Sequence, residues 1–408
     1  MLRYLTAGES HGEMLVGILE GLPAGVPLSA GDIDPYLQRR QGGYGRGGRM
    51  KIERDEVRLV AGVRGGETLG SPIAFLIQNR DWKNWQGVMN PEAEAIDAER
   101  RAARRVTSPR PGHADLAGGL KYDRADLRDV LERASARETA MRVAIGAACL
   151  KFLAELGIRA AGHVVRMGAA AADSDRLAAL PLEELAARAA ASPVYCADEE
   201  ASERMVEAVK EAARRHDTLG GVVEVRVEGL PVGLGSHISG ARRLDARLAE
   251  ALMGIQAVKG VEIGLGFEAA RRFGSEVHDP IVYVGPARAR RSGGYVRTRN
   301  GAGGLEGGMT NGAPLVVRAA MKPLATLTHP LPSVDVETKA PSGAAVERTD
   351  VAAVPALAVV AEAMVGIVLA GAVLEKFGGD SLGEVRRNLE GYLQQIARHP
   401  MRPEGGSR

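Results

Sequence analysis

Apolar and polar positions along the chain change period several times, and those changes mark its elements. The unbroken apolar run at 15–19 predicts a strand, and Ser29 with Asp32 three residues on predicts a capped helix ending near Arg40. Short apolar runs in MKIE, VRLVAGV and PIAFLIQN, separated by glycine turns, predict an antiparallel ribbon rather than a βαβ unit, which argues against a Rossmann core. Residues 92–105, rich in Ala, Glu and Arg, predict a surface helix closed by the prolines of TSPRPGHAD. Asp123, with Asp126 three residues on, predicts the cap of a further helix. Its apolar stripe is Leu127, Val130, Leu131, Ala134, Met141, Ala144 and Ala148, and Gly157 is its stop. A helix over 199–216 and a strand over 315–319 follow. The most hydrophobic stretch, 351–374, is interrupted by Glu362, leaving an apolar run of only twelve residues, 363–374. That is short for a bilayer span and predicts a buried helix over 355–377, with Pro355 in its first turn.

One layout occurs twice. Residues 14–40 and 222–253 both read as strand, Glu-Gly-Leu-Pro-x-Gly, a serine-containing cap and helix, with Glu20 corresponding to Glu228. This predicts related halves at about 1–165 and 218–380 sharing one core, within a single domain over 1–408. The alanine-rich segment 168–215 reads as an insertion or peripheral piece, contributing to the surface or to assembly. The fold class expected is α+β, with layered helices and antiparallel sheets.

Composition narrows the function more than the fold. With 45% hydrophobic and 25% charged residues, the 408-residue chain is ordinary globular material. A net charge of +2 gives no global reason to bind nucleic acid, and aromatic residues are too sparse among the basic ones for a base-stacking platform. Cys149 and Cys196 stand in unrelated contexts, which favours a reducing, cytoplasmic setting, and no signal-peptide pattern opens the chain. No HExxH or paired-cysteine spacing points to a metal. The unusual feature is 52 glycines against five Phe and two Trp, which asks where backbone must come close to backbone or ligand.

Four clusters could carry chemistry. His11 lies between glycines in GESHG, as a site residue or merely as a turn. Arg39, Arg40, Arg46 and Arg49 flank GGYGRGG, which could combine guanidinium forks with backbone N–H groups around phosphate or carboxylate, or be a solvated loop. His113 in PRPGHAD has Asp115 nearby, able to fix its tautomer or simply to start a turn. Arg133 and Arg137, four residues apart, would share a helix face. An inward-facing pair demands an anion, and an outward-facing pair demands nothing.

Taken together, GESHG, RRQGGYGRGGRMKIERD, PRPGHAD, RASARETAMRVAIGA, AGGLEGGMTNG and RTDVAAVPALAVVAEAMV resemble the chorismate synthase family over nearly the whole chain. The resemblance implies a β-α-β sandwich, usually a homotetramer. Its reaction is the anti-1,4 elimination of phosphate from 5-enolpyruvylshikimate 3-phosphate in the shikimate pathway, using reduced FMN without net redox change. By the same resemblance His11 is the general acid at the departing phosphate, His113 is associated with protonation of the reduced flavin, and Asp350 assists flavin N5 in removing the C6 hydrogen. Arg39, Arg40, Arg46, Arg49 and Arg137 are the implied substrate-anion contacts, and Arg40 and Arg46 also match positions associated with NADP. The implied FMN contacts are Arg133, Ala134, Ser135, Gln256, Ala257, Gly307, Lys322, Pro323, Leu324, Ala325, Thr326 and Arg348. Thr349 and Ala352 depart from the His and Cys of many relatives. No flavin-reductase domain is evident, which implies an external reductase, with direct use of NADPH open and neither nucleic acid nor membrane as a partner. The competing readings are another FMN-dependent phosphate lyase and a non-catalytic flavin- or phosphometabolite-binding protein.

Overall fold

The computed structural model describes residues 2–47, 54–347 and 350–400. MKIE, Arg49, Arg348 and Thr349 lie outside those ranges. One sheet contains β1 (Arg3–Ala7), β2 (Met14–Glu20), β3 (Val57–Ala61) and β4 (Ile73–Gln78) in the order β1-β2-β4-β3. The other contains β5 (Arg159–Met167), β6 (Ala170–Ala171), β7 (Gly221–Glu228), β8 (Val258–Ile263) and β9 (Leu315–Met321) in the order β8-β9-β7-β5-β6. Every pairing within the two is antiparallel.

Between them lie α1 (Ala30–Gln41), α2 (Thr139–Ala154), α3 (Leu244–Met253) and α4 (Val354–Phe377). Helix α2 packs on β2 and β4 of the first sheet, α4 packs on β5 and β7 of the second, and the two helices pack on each other. The result is the expected α+β sandwich, sheet on helices on sheet. Because α2 has a neighbour on every side, it is buried all round rather than along the single stripe its sequence predicts. Helix α4 likewise is long and apolar enough to cross a membrane, yet its side chains are mostly buried inside the protein, as expected for a core helix. Each buried Leu, Ile or Val contributes about 1.5–3 kcal/mol by leaving water. The helices approach closely at Gly146, where a Cβ would stand 2.5 Å from both the Cβ and the carbonyl oxygen of Ala363.

Several local expectations are corrected. The helix expected over 92–105 is broken into a short 3₁₀ turn, Ala93–Ala95, and a helix Ala98–Ala103, because Asp97 is extended and caps the latter by accepting from Arg100 N–H at 3.0 Å. Asp123 ends a helix instead of starting one: its φ is +52°, just after Asp115–Tyr122. Asp126 assumes the capping role, accepting from Arg128 N–H at 3.1 Å. The helix expected from 123 to 157 is divided at Ser135 (ψ 141°) into Arg128–Ala134 and α2. Arg133 and Arg137 therefore do not share a face. Gly157, with φ +71°, does follow the end of α2.

The Glu-Gly-Leu-Pro-x-Gly turns are built alike. Thr68 accepts through its hydroxyl from Val26 N–H (2.9 Å) and donates to the Pro23 carbonyl (2.6 Å). Thr310 does the same with Leu234 N–H (2.8 Å) and the Pro231 carbonyl (2.6 Å). Each threonine ends a small hairpin whose loop is Gly-Gly at positive φ, Gly65–Gly66 in one and Gly307–Gly308 in the other.

The segment 168–215 carries helices Ser174–Ala179, Leu182–Ala191 and Glu199–Arg214. The first two cover the outer face of the second sheet through Leu177, Leu182, Leu185 and Ala189 around Ala161.

Candidate functional site

A cavity of about 1140 Å³ gathers residues from across the sequence. Its described lining includes Arg40, Arg46, Arg100, Arg104, Arg110, Arg137 and Lys322, seven cations, against the carboxylates of Asp81, Glu347 and Asp350. A chain with little net charge thus has a cavity whose lining carries more cations than carboxylates, even though Asp55, Asp115 and Asp350 pair with three of the arginines, which suits a ligand with anionic groups.

His11 follows β1, in a loop that turns back at Gly8 (φ +108°). Its Nδ1 lies 2.9 and 3.0 Å from the two carboxylate oxygens of Glu132, and its backbone N–H donates to the same carboxylate at 2.8 Å. One ring face stacks on Trp85, with centroids 3.9 Å apart. The guanidinium carbons of Arg104 and Arg128 stand 4.6 and 5.1 Å from the Trp85 ring centroid. Burial pushes the Glu132 carboxyl up, but the His11 hydrogen bonds and the Arg128 charge outweigh it and hold the group below the usual carboxylate range.

His113 has a parallel arrangement. Its Nδ1 lies 2.6 Å from Asp115 Oδ1, and Asp115 also accepts from Arg110 Nε at 2.8 Å and Nη2 at 3.1 Å. Burial would raise the Asp115 pKa, but the bonds from His113 and Arg110 and their charges depress it far below the ordinary value. Arg110 Nη1 continues to the Thr326 hydroxyl at 2.9 Å, and Lys322 Nζ donates to the Gly112 carbonyl. The PRPGHAD loop is thereby tied to residues 322–326 at the end of β9.

The described part of the arginine loop is anchored at Arg40 and at Arg46. Arg40 donates to the Thr139 hydroxyl (3.0 Å) and the Ala136 carbonyl (2.8 Å). Arg46 meets Asp350 at 2.8 Å, and Gly47 N–H donates to the same carboxylate at 2.6 Å. Gly43 (φ +95°) brings the backbone onto the start of α4, where a Cβ would lie 2.5 Å from the Pro355 ring. Arg137, expected to need an anion if buried, has one in the protein: Nη1 contacts both oxygens of Asp55 at 2.6 Å, while Nε and Nη2 reach Asn79 Oδ1.

Of the residues implied by the sequence, His11, His113, Asp350, Arg40, Arg46, Arg137, Ala134, Ser135, Gln256, Ala257, Lys322, Pro323, Leu324, Ala325 and Thr326 line this one cavity. Arg39, Arg133 and Gly307 are not brought to its lining. Arg39 pairs with the buried Glu362 of α4 at 2.9 Å, supplying the countercharge that lets a carboxylate sit inside an apolar helix. Arg133 donates to the Gly8 and Thr6 carbonyls, bracing the end of β1. Gly307 forms a hairpin turn beside a second cavity of about 510 Å³. The residues that sequence reasoning missed are Glu132, Trp85, Arg100, Arg104 and Arg110. Arg110 was within reach as part of PRPGHAD, whereas nothing local to Glu132 or Trp85 signals their contact with His11.

One buried polar atom of the cavity wall is left for a ligand to meet. Gln256 Nε2 donates to Glu138 at 3.0 Å, which fixes the amide orientation and leaves its buried Oε1 without a partner among the described residues. A ligand N–H at the cavity wall would satisfy it. The next residue, Ala257, holds φ +68°, a conformation that non-glycine residues seldom adopt. The cavity volume exceeds the roughly 300–1,000 Å³ usual for a single small-molecule site.

Two antiparallel sheets enclosing four helices, with a histidine-bearing cationic cavity, define an enzyme for a small polyanionic metabolite. The same architecture occurs in a crystal structure of chorismate synthase, with TM-score 0.77 and 44% sequence identity, covering 97% of this chain and 98% of that one. Residues 2–374 match the family profile described as chorismate synthase. The chorismate synthase of Moorella thermoacetica is 60% identical over 403 residues, spanning 97% of this chain and 99% of the relative. That of Symbiobacterium thermophilum is 59% identical over 398 residues, spanning 97% and 100%. The chain belongs to the chorismate synthase family, lyases of aromatic biosynthesis.

Proposed function

We propose that the cavity binds 5-enolpyruvylshikimate 3-phosphate beside reduced FMN and eliminates phosphate in the anti-1,4 sense to give chorismate. The observation that carries this reading is the meeting, in one cation-lined cavity, of two histidines each held through Nδ1 by a buried carboxylate.

The substrate's two carboxylates and phosphate are neutralised by the arginines, of which Arg40 and Arg46 are tethered before any ligand arrives. His11 donates a proton to the departing phosphate, limiting the charge that builds up as the C–O bond breaks. His113 holds a proton at the flavin side of the cavity, next to Arg110 and residues 322–326. Asp350 is the carboxylate to which the proton lost from the ring is passed. Reduced FMN, when bound, supplies electron density to the allylic system as phosphate leaves. Ala134, Ser135, Gln256, Ala257 and residues 322–326 would hold it.

Titrating FMN fluorescence with the protein tests the cofactor reading. Wild type is expected to quench it saturably, and Lys322→Ala to weaken binding by roughly tenfold, the effect of losing one charged contact of about 1.4 kcal/mol. Flavin that does not bind, or binding indifferent to Lys322, would count against it.

Leu5, Phe267, Phe273 and Tyr283 are 62–80% exposed, large apolar side chains that contact between copies in a homotetramer would cover. A cytoplasmic setting with an external, NADPH-fed flavin reductase accords with this chemistry. The matched Thr68 and Thr310 turns support descent of the halves, about 1–165 and 218–380, from one duplicated unit.

A further inference from the structure

His11 and Glu132 belong to different elements, a loop after β1 and the helix Arg128–Ala134, yet their contact is specific. Both carboxylate oxygens reach Nδ1, at 2.9 and 3.0 Å, and the carboxylate also receives His11 N–H at 2.8 Å and Arg128 Nη1 at 3.0 Å. Glu132 is 1% exposed, so it is an acceptor set rigidly in the protein rather than a mobile surface acid. Trp85 closes one face of the imidazole and is itself held by its indole N–H, which donates to Asp81 at 3.0 Å.

We propose that Glu132 is the positioning residue for His11, fixing the imidazole with its proton on Nδ1 so that Nε2 exchanges protons with the substrate's phosphate. The inference rests on the elimination reading above and deepens it by assigning the nitrogen. An ionised carboxylate only accepts hydrogen bonds, so Nδ1 must carry hydrogen in both charge states of the ring. In the elimination the C–O bond breaks with its electron pair remaining on phosphate. The Nε2 proton passes to a phosphate oxygen, and His11 is left neutral as the Nδ1–H tautomer. Solvent returns the Nε2 proton when phosphate departs, and Glu132 stays ionised throughout. Arg128 balances the Glu132 charge and also reaches Glu347 at 2.8 Å, in the segment that leads to Asp350.

The test is long-range ¹H–¹⁵N correlation NMR on the full-length protein labelled at its histidine ring nitrogens, with His11 assigned from the signal lost in His11→Gln. The expected spectrum of neutral His11 is that of the Nδ1–H tautomer. In Glu132→Gln, whose neutral amide can donate to Nδ1, that population is expected to shift toward Nε2–H. Turnover with photoreduced FMN is expected to fall roughly 100-fold in this variant, the lower end of general acid–base contributions, with substrate KM changed less than about threefold. Glu132→Asp, which keeps the charge, is expected to recover the Nδ1–H signal. An Nε2–H tautomer in the wild type would overturn the inference, and that reading stands even if a variant fails to fold. Wild-type kcat in a folded Glu132→Gln would overturn it as well. If the wild type lacks turnover altogether, the elimination reading fails, whereas the spectrum still decides the role of Glu132.

Discussion

Arg46 and Asp350 meet at 2.8 Å, joining the glycine-rich arginine loop to the segment that leads into α4. Gly47 N–H donates to the same carboxylate, and Val351 N–H donates back to the Gly45 carbonyl at 2.8 Å. The described part of the loop, Gly45 to Gly47, is therefore held at Asp350 and Val351, and Asp350 also lines the cavity. Asp350→Ala should lower turnover by roughly 100-fold and raise the substrate KM, because it removes a proton acceptor and releases an arginine at once. Steady-state kinetics under anaerobic conditions checks this, and unchanged kcat and KM would remove Asp350 from both roles.

The two histidines are expected to be catalytic without being structural. His11→Ala and His113→Ala should preserve the far-UV circular dichroism spectrum and depress turnover by roughly 10-fold to 10⁴-fold. Asp115→Asn should resemble His113→Ala in turnover, since the ring would lose the carboxylate bonded to Nδ1 at 2.6 Å. A variant that retains full turnover would exclude its residue from the mechanism.

The alanine-rich segment supports the arginine loop. Tyr195 donates its hydroxyl to the Arg39 carbonyl at the end of α1 (2.8 Å), and Tyr44 N–H donates to the Pro193 carbonyl at 2.6 Å. A Cβ on Gly42 would lie 2.4 Å from the Tyr195 hydroxyl oxygen. Gly42→Ala should cost about 1–2 kcal/mol by overpacking. Adding Tyr195→Phe should recover part of that loss, because the obstructing oxygen is gone. Urea unfolding of both single variants and the double variant measures the coupling, and strictly additive effects would contradict it.

Acid sensitivity is expected from a site remote from the chemistry. Glu224, buried in β7, is 3.3 Å from His163 Nε2 and 2.8 Å from Arg318 Nε. Burial raises its pKa, but His163, Arg318 and Arg226 outweigh that and lower it from 4.5 to about 2. Since the folded value is the lower one, the ionised group contributes stability above about pH 4.5, and the contribution is lost as pH falls toward 2. Glu224→Gln should destabilise by about 3 kcal/mol at pH 7 and by clearly less at pH 3. Urea midpoints at the two pH values check this, and a pH-independent difference would contradict it.

Elements whose signals are local were legible. The Ser29–Asp32 start of α1, the buried helix α4 and the antiparallel β3–β4 pairing follow from capping, length and glycine spacing. What failed were boundaries decided by distant contacts. Ser135 breaks a continuous apolar pattern, and that break lets Arg137 turn to Asp55 and Asn79 while Arg133 turns to β1. Arg39 looked like an anion-binding arginine in the sequence because its partner, Glu362, lies on a helix near the other end of the chain. Glu132 gave no signal for the same reason. The glycines have several separate explanations: Gly146 permits helix contact, Gly43 seats the arginine loop on Pro355, and Gly307 turns a hairpin away from the main cavity.

The reaction proposed for this cavity is elimination of phosphate from 5-enolpyruvylshikimate 3-phosphate with reduced FMN. Anaerobic incubation of the protein with that substrate and photoreduced FMN, following chorismate and released phosphate together, tests it most directly. Equal amounts of the two products are expected, formed only while the flavin is reduced. Saturable substrate binding with no chorismate, or turnover that proceeds equally well without reduced flavin, would contradict it.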